Sequence, residues 1–198
     1  MKIAAIILAA GRSARFAGMN KLLAEIDGVP MIRRALFAAD HASVDDIVLV
    51  TSPDGAAVST MAGPGRWRVV VNPAAAGGLS TSLHAGLQSL DPGIDGALIM
   101  LADMPRVGLD LISALCHDFV ANMGQRIVFP QSHHGEQGNP VLWPRALFDE
   151  LLAVSGDSGG KPVLARHREL WSPHIVIDAA AFLDVDTQAD LDKALQSG

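Results

Sequence analysis

The stretch Lys2-Ile3-Ala4-Ala5-Ile6-Ile7-Leu8-Ala9-Ala10-Gly11-Arg12-Ser13 decides how this chain folds. A short apolar run closed by a glycine and an arginine reads as a parallel strand buried on both faces. With its basic start Met1-Lys2 the run also resembles a secretion signal, but it is short and ends in Gly11-Arg12. Lys2 to Ala9 is therefore expected to form the first strand and to open into a polar loop.

The pattern repeats outward from there. Pro30 to Ala39 places Met31, Ala35, Leu36 and Ala39 at helical spacing, and Asp46 to Thr51 and Arg68 to Val71 are β-branched and apolar. Leu79 to Leu90 is helical again, and Gly96 to Leu101 is another buried strand running into Ala102-Asp103-Met104-Pro105. A helix near Leu109 to Val120, a strand Arg126 to Phe129, a polar loop Gln131 to Asn139 and short helices near Arg145 to Leu152 and Gly160 to Arg166 follow. This alternation predicts an α/β fold with a mostly parallel sheet and helices on both faces, in a single domain over residues 1–198. Ligands of such sheets collect at the carboxyl ends of the strands, which directs attention to the loops after Ala9, Val71 and Leu101.

Composition narrows the partners. The 198 residues are 49% hydrophobic and 18% charged, enough for one sizeable core. With 21 acidic against 15 basic residues the formal charge is −6, which offers no broad positive field for DNA or RNA. No other stretch approaches the roughly 20 apolar residues of a membrane span. Cys116 is the one cysteine, so neither an intramolecular disulfide nor a thiolate zinc site is available, and a reducing, cytoplasmic setting is expected. Cys116 lies in an apolar helical stretch and is read as packing.

The first loop matches neither familiar phosphate motif. Gly11 and Gly18 have six intervening residues and Lys21 follows three later, against the Gly-x4-Gly-Lys-Ser/Thr of a Walker loop; only Gly11 is present of a Gly-x-Gly-x-x-Gly fingerprint. Its chemistry is nevertheless legible. Small residues at Ala9-Ala10-Gly11, following Leu8, let backbone N–H groups approach a base and phosphates, while Arg15 and Lys21 neutralise oxygens.

The run Ile7-Leu8-Ala9-Ala10-Gly11-Arg12-Ser13-Ala14-Arg15-Phe16-Ala17-Gly18-Met19-Asn20-Lys21-Leu22-Leu23 resembles the signature of nucleotidyltransferases of the molybdenum cofactor cytidylyltransferase type. It is similar, more loosely, to the guanylyltransferases of the same pathway and to cytidylyl- and uridylyltransferases of isoprenoid and sugar precursors. The family often has Met-Gly where this chain has Phe16-Ala17. Further segments match in order: Gly28-Val29-Pro30-Met31, Asn72-Pro73, Ser80-Thr81-Ser82-Leu83, Leu101-Ala102-Asp103-Met104-Pro105, Gly138-Asn139-Pro140-Val141-Leu142, Gly156-Asp157-Ser158-Gly159 and Asp184-Val185-Asp186-Thr187. The resemblance implies a Rossmann-like, glycosyltransferase-A-type sheet and a magnesium-dependent transfer of a nucleotidyl group to the phosphate of molybdopterin, with release of pyrophosphate. It implies catalytic roles for Lys21, Arg15 and Asp103, and a nucleotide site at Leu8, Ala9, Ala10, Gly11, Arg15, Lys21, Ser82 and Asp103. A molybdoenzyme or its chaperone is the expected recipient of the product.

Asp103 follows an apolar strand, where a carboxylate must find a cation, a donor or water. Mg²⁺ commonly uses one or two carboxylates plus phosphate oxygens, so a second acid is expected from elsewhere. The resemblance favours Asp186; alternation along an extended segment puts Asp184 on the same face. A phosphate nucleophile is ionised near neutral pH, so the implied reaction needs alignment and charge cancellation and no general base.

Ser82 stands near the start of a helix, where a capping role and a place beside the base or ribose are both open. Guanylyl relatives tend to carry Gly where this chain has Ala10, and a methyl group there narrows the base pocket; CTP is expected over GTP. Gly138, Asn139 and Pro140, after the polar loop with His133 and His134, are the implied approach for the acceptor. Three other readings compete. Gly156-Asp157-Ser158-Gly159-Gly160 reproduces a serine-protease nucleophile motif, but the α/β alternation and lone cysteine oppose that fold. An oxidoreductase of related sequence would share the fold, and a non-catalytic nucleotide sensor would need the metal pair to be idle.

Overall fold

The computed structural model describes residues 1–11, 20–178 and 182–196. Strand β1 (Ile3–Leu8) is buried at all six positions and lies at the centre of a seven-stranded sheet. It pairs in parallel with β4 (Asp46–Thr51) on one side and with β6 (Gly96–Leu101) on the other. The sheet continues outward through β5 (Trp67–Val71) beside β4. Beyond β6 come β8 (Val141–Pro144), β7 (Ile127–Ser132) and β9 (Trp171–Val176). Only β8 among these runs against the rest, pairing antiparallel with both β6 and β7. Between β2 (Glu25–Ile26) and β3 (Val29–Pro30) there is a small separate hairpin.

Helices cover both faces, as the alternation predicts. α1 (Met31–His41) packs with α2 (Ala56–Ala62) and α4 (Leu109–Ala121) over a core that includes Ile7, Leu36, Leu49, Met100 and Phe119. On the opposite face α3 (Leu79–Gln88), α5 (Phe148–Leu152) and α6 (Lys161–Arg166) enclose Ile6, Leu83, Phe129, Trp143 and Leu151. Gly86 lets α3 close on the sheet: a methyl group there would stand 2.5 Å from Ile6 Cγ2. A third, small cluster of Ile26, Met31, Val185, Leu191 and Ala194 docks α7 (Gln188–Gln196) against the β2–β3 hairpin. No helix of the described residues is long and apolar enough to cross a membrane.

The chain moves from β1 to β4 and β5, then returns to the other side of β1 to form β6. The loops leaving β1 and β6 therefore diverge, and a crevice opens at the carboxyl ends of these two strands. The backbone holds that edge in register: Ala9 N–H donates to Val50 O at 2.8 Å and Ala102 N–H to Leu8 O at 3.2 Å.

Several elements lie beyond the sequence reading. β7 extends through Ser132, past Phe129, so the loop expected from Gln131 is shorter. β8 has only four residues and ends in Pro144, and β9 contains Pro173; prolines weaken a strand signal and are tolerated at strand ends and sheet edges. α7 is largely polar, with Leu191 and Ala194 as its buried side chains, too few for a clear periodic stripe.

Candidate active site

Leu8, Ala9 and Ala10 leave β1 almost fully buried, and Gly11 emerges into solvent. Added at Gly11, a Cβ would meet nothing within 4 Å, so the backbone here borders open space. Arg15, expected to bind phosphate, lies outside the described residues.

The chain returns at Asn20, whose side chain accepts from Leu22 N–H at 3.0 Å and caps the short turn Lys21–Leu23. Leu22 is sunk in the core, which fixes the turn and leaves the Lys21 side chain beside the strand ends. Lys21 is only 8% exposed. Its Nζ lies 2.7 Å from Asp103 Oδ2 and 2.7 Å from Asp186 Oδ1. Burial alone would push this ammonium down; the carboxylates of Asp103 and then Asp186 outweigh it and raise its pKa above the ordinary lysine value.

Asp103 stands two residues past β6, at the crevice. Its backbone oxygen accepts from Val185 N–H at 3.1 Å, which ties the carboxy-terminal segment to this strand end. Val185 is completely buried, so Asp184 and Asp186 flanking it turn outward together, and carboxylate oxygens of Asp103, Asp184 and Asp186 lie within 4.8 Å of one another. Asp184 and Asp186 thus share one face, as alternation along an extended segment predicts. Loss of water contact, then the neighbouring Asp103 and Asp186, push the Asp184 carboxyl up to about 6, against the lowering pull of Lys21.

Among the described residues three carboxylates gather around one lysine. Asp103 Oδ1 is buried and accepts no hydrogen bond among the described residues. An orphaned buried oxygen in an all-oxygen donor set suits a hard divalent cation such as Mg²⁺ or Mn²⁺.

Ser82 belongs to a different part of the same edge. Gly78, not Ser82, is the N-cap of α3, and Ser82 sits one turn further in. Buried Asn72, just past β5, donates from Nδ2 to Thr81 Oγ1 at 2.9 Å and to Ser82 Oγ at 3.0 Å, while its Oδ1 accepts from Ala74 N–H. Asn72 thus joins the strand end to the first turns of α3. Sequence reading had Asn72 only as one member of the ordered motifs; its neighbouring Pro73 was the available signal.

The Gly156-Asp157-Ser158 segment also resolves. Asp157 Oδ1 accepts from Leu79 N–H at 3.1 Å and Gly156 O from Ser80 N–H at 3.0 Å, satisfying otherwise orphaned donors of α3. Ser158 Oγ donates to Ser155 O and has no histidine beside it in a nucleophilic arrangement among the described residues.

Gly138, Asn139 and Pro140 lead from β7 into β8. Gly138 N–H donates to Pro130 O at 2.8 Å, and a Cβ on Gly138 would stand 2.5 Å from the Phe182 ring. The Asn139–Pro140 peptide is cis. His133 and His134 are exposed on the hairpin turn between them. A cavity of about 620 Å³, walled by Leu36, Phe37, Trp67 and Val107, lies between α1, α2 and the start of α4 and contains none of the residues expected to act.

Comparison with known proteins agrees with this architecture. The chain is 25% identical to purine catabolism protein PucB of Bacillus subtilis over 197 residues, covering 94% of this chain and 93% of that protein. It is 31% identical to a molybdenum cofactor guanylyltransferase of Ralstonia nicotianae over 201 residues, covering 96% and 94% respectively. Among solved structures, Rv0371c of Mycobacterium tuberculosis H37Rv superposes with a TM-score of 0.87 at 27% identity over 98% of each chain, and a manganese complex of Rv0371c with 0.81 at 25% over the whole of each. Residues 5–170 match the MobA-like NTP transferase domain, and this chain belongs to that family of nucleotidyltransferases.

Proposed function

We propose that this protein transfers a nucleotidyl group from a nucleoside triphosphate to the terminal phosphate of molybdopterin or the molybdenum cofactor, with Mg²⁺ held by Asp103 and Asp186. The observation that carries this reading is the convergence of Lys21, Asp103, Asp184 and Asp186 at the carboxyl ends of β1 and β6. The orphaned Asp103 Oδ1 supports a metal there, as does the manganese complex of Rv0371c.

In the proposed reaction an acceptor phosphate oxygen forms a bond to the α-phosphorus while the bond from that phosphorus to the bridging oxygen breaks, and pyrophosphate leaves. The acceptor phosphate is already ionised near neutral pH, so no residue need remove a proton. Ala9 to Gly11 border the space for base and phosphates, Lys21 and Arg15 neutralise phosphate oxygens, and Ser82, steadied by Asn72, flanks the nucleotide. A bound divalent ion would supply further charge neutralisation at the phosphates. Gly138-Asn139-Pro140 form the approach for the acceptor, and a molybdoenzyme or its chaperone receives the product.

The base is proposed to be cytosine, because the methyl group of Ala10 narrows the pocket where guanylyl relatives tend to carry glycine. A GTP reading is favoured by a different observation, the 31% identity to the guanylyltransferase of Ralstonia nicotianae. Pyrophosphate release measured with CTP, GTP, ATP and UTP, with and without molybdopterin and Mg²⁺, tests all parts together. CTP turnover dependent on both additions supports the proposal. Preferred turnover of GTP transfers it to the guanylyl reading, and nicotinamide cofactor oxidation without pyrophosphate would overturn it.

A further inference from the structure

Lys21 is more than a phosphate ligand in waiting. We infer that it is the resident counter-ion of the metal site: its ammonium bridges Asp103 and Asp186 until nucleotide arrives, so the ligand-free protein holds a divalent cation weakly. The inference rests on the metal reading above and adds an order to the binding events.

The geometry is specific. Nζ makes two 2.7 Å contacts, one to each of the carboxylates that would ligate the metal. The carboxylates of Asp103 and Asp186, with that of Asp184, each offer an oxygen within 4.8 Å of the others. Mg²⁺ bonds to oxygen at about 2.0–2.1 Å, so an ion held by these two carboxylates would lie close enough to the ammonium for the two positive charges to repel. Lysine and metal therefore compete for Asp103 and Asp186.

Lysine is suited to such an exchange. Its ammonium is a compact charge with three donors on a flexible four-carbon stem, whereas the backbone beneath it is anchored by Leu22 and by the Asn20 cap. Only the side chain need move. A triphosphate at Ala9–Gly11 offers it replacement oxygens, so nucleotide binding releases the carboxylates at the moment a metal is needed. The unpaired Asp103 Oδ1 fits the same picture, because the ammonium engages Oδ2 and leaves one oxygen of the pair unused.

The test is Mn²⁺ binding by electron paramagnetic resonance on the full chain without nucleotide, comparing wild type, Lys21→Met, Lys21→Arg and the double variant Lys21→Met/Asp103→Asn. Lys21→Met should bind Mn²⁺ about tenfold or more tightly than wild type, by the size of effect one adjacent opposing charge has on ionic equilibria. Lys21→Arg, which retains the charge, should stay weak, and Asp103→Asn should erase the gain. Equal or weaker affinity in Lys21→Met overturns the inference. Should Lys21→Met prove poorly folded alone, its melting temperature must rise more with Mn²⁺ than that of wild type; an equal rise also overturns the inference. The metal reading itself fails separately if Asp103→Asn binds Mn²⁺ with a non-hydrolysable CTP analogue as tightly as wild type.

Discussion

Lys21 Nζ and Asp186 Oδ1 meet at 2.7 Å although 165 residues separate them, and Asp103 completes the bridge from a third part of the chain. The loop after β1, the end of β6 and the segment before α7 are thus joined by charge at one point. Replacing any of these side chains tests a different part of the proposed chemistry.

Asp103→Ala should lower kcat by roughly 10²- to 10³-fold or more, the scale of losing one preorganised electrostatic contact, while the protein remains folded. Lys21 keeps Asp186 as a partner, and the Val185 N–H bond to the Asp103 backbone does not depend on the side chain. Pyrophosphate release and circular dichroism measure the two halves. Metal-dependent activity at wild-type level in this variant would rule Asp103 out as a ligand.

Loss of water contact, then the neighbouring carboxylates, push the Asp184 carboxyl up to about 6 from 3.8. A carboxyl whose pKa is raised by folding binds more protons folded than unfolded between these values, so it favours the fold below about 4 and costs stability as pH rises through about 6. Asp184→Asn should therefore raise the melting temperature of the ligand-free protein at pH 8 and leave it little changed at pH 4. The gain should be modest, about 1 kcal/mol after solvent screening or roughly 2–4 °C. Melting curves at the two pH values distinguish this from a pH-independent packing effect.

Gly86→Ala places a methyl group 2.5 Å from Ile6 Cγ2, between α3 and β1. Over-packing of this kind costs about 1–3 kcal/mol, visible in a urea titration. Because α3 also carries Ser82, the variant should raise the KM for nucleotide as well.

Asp157→Ala removes the side-chain acceptor of Leu79 N–H and should cost about 1 kcal/mol, the usual scale of a lost helix cap. An active-serine reagent should leave Ser158 unlabelled in both wild type and variant. Labelling would revive a hydrolytic role for the Gly-Asp-Ser-Gly motif.

Cys116 is buried, and loss of water contact, with Asp45 nearby, pushes its thiol up to about 11. The sequence reading of this residue as packing rested on its apolar neighbours, and the raised pKa follows from the same burial: the thiolate has little water or positive charge to stabilise it. Other local signals were equally direct. Continuous apolar runs located β1, β4 and β6, since a strand covered on both faces has no polar side to interrupt it. β8, β9 and α7 were illegible because their prolines or polar surfaces dilute the periodicity, and their place depends on neighbours distant in sequence.

Local pattern determined an α/β chain, and the order of its motifs, through the resemblance they carry, pointed to Lys21, Arg15, Asp103 and Asp186, with Asp184 left open beside Asp186. Tertiary structure decided that Lys21 spans the two carboxylates and that Asp184 joins them. It also turned Asp157 into the cap of α3 and joined Ser82, for which capping was one of two open readings, to Asn72. The physical reason is one of range. Burial preference acts residue by residue and leaves its period in the sequence, whereas an ion pair over 2.7 Å exists only after chain closure has brought its partners together.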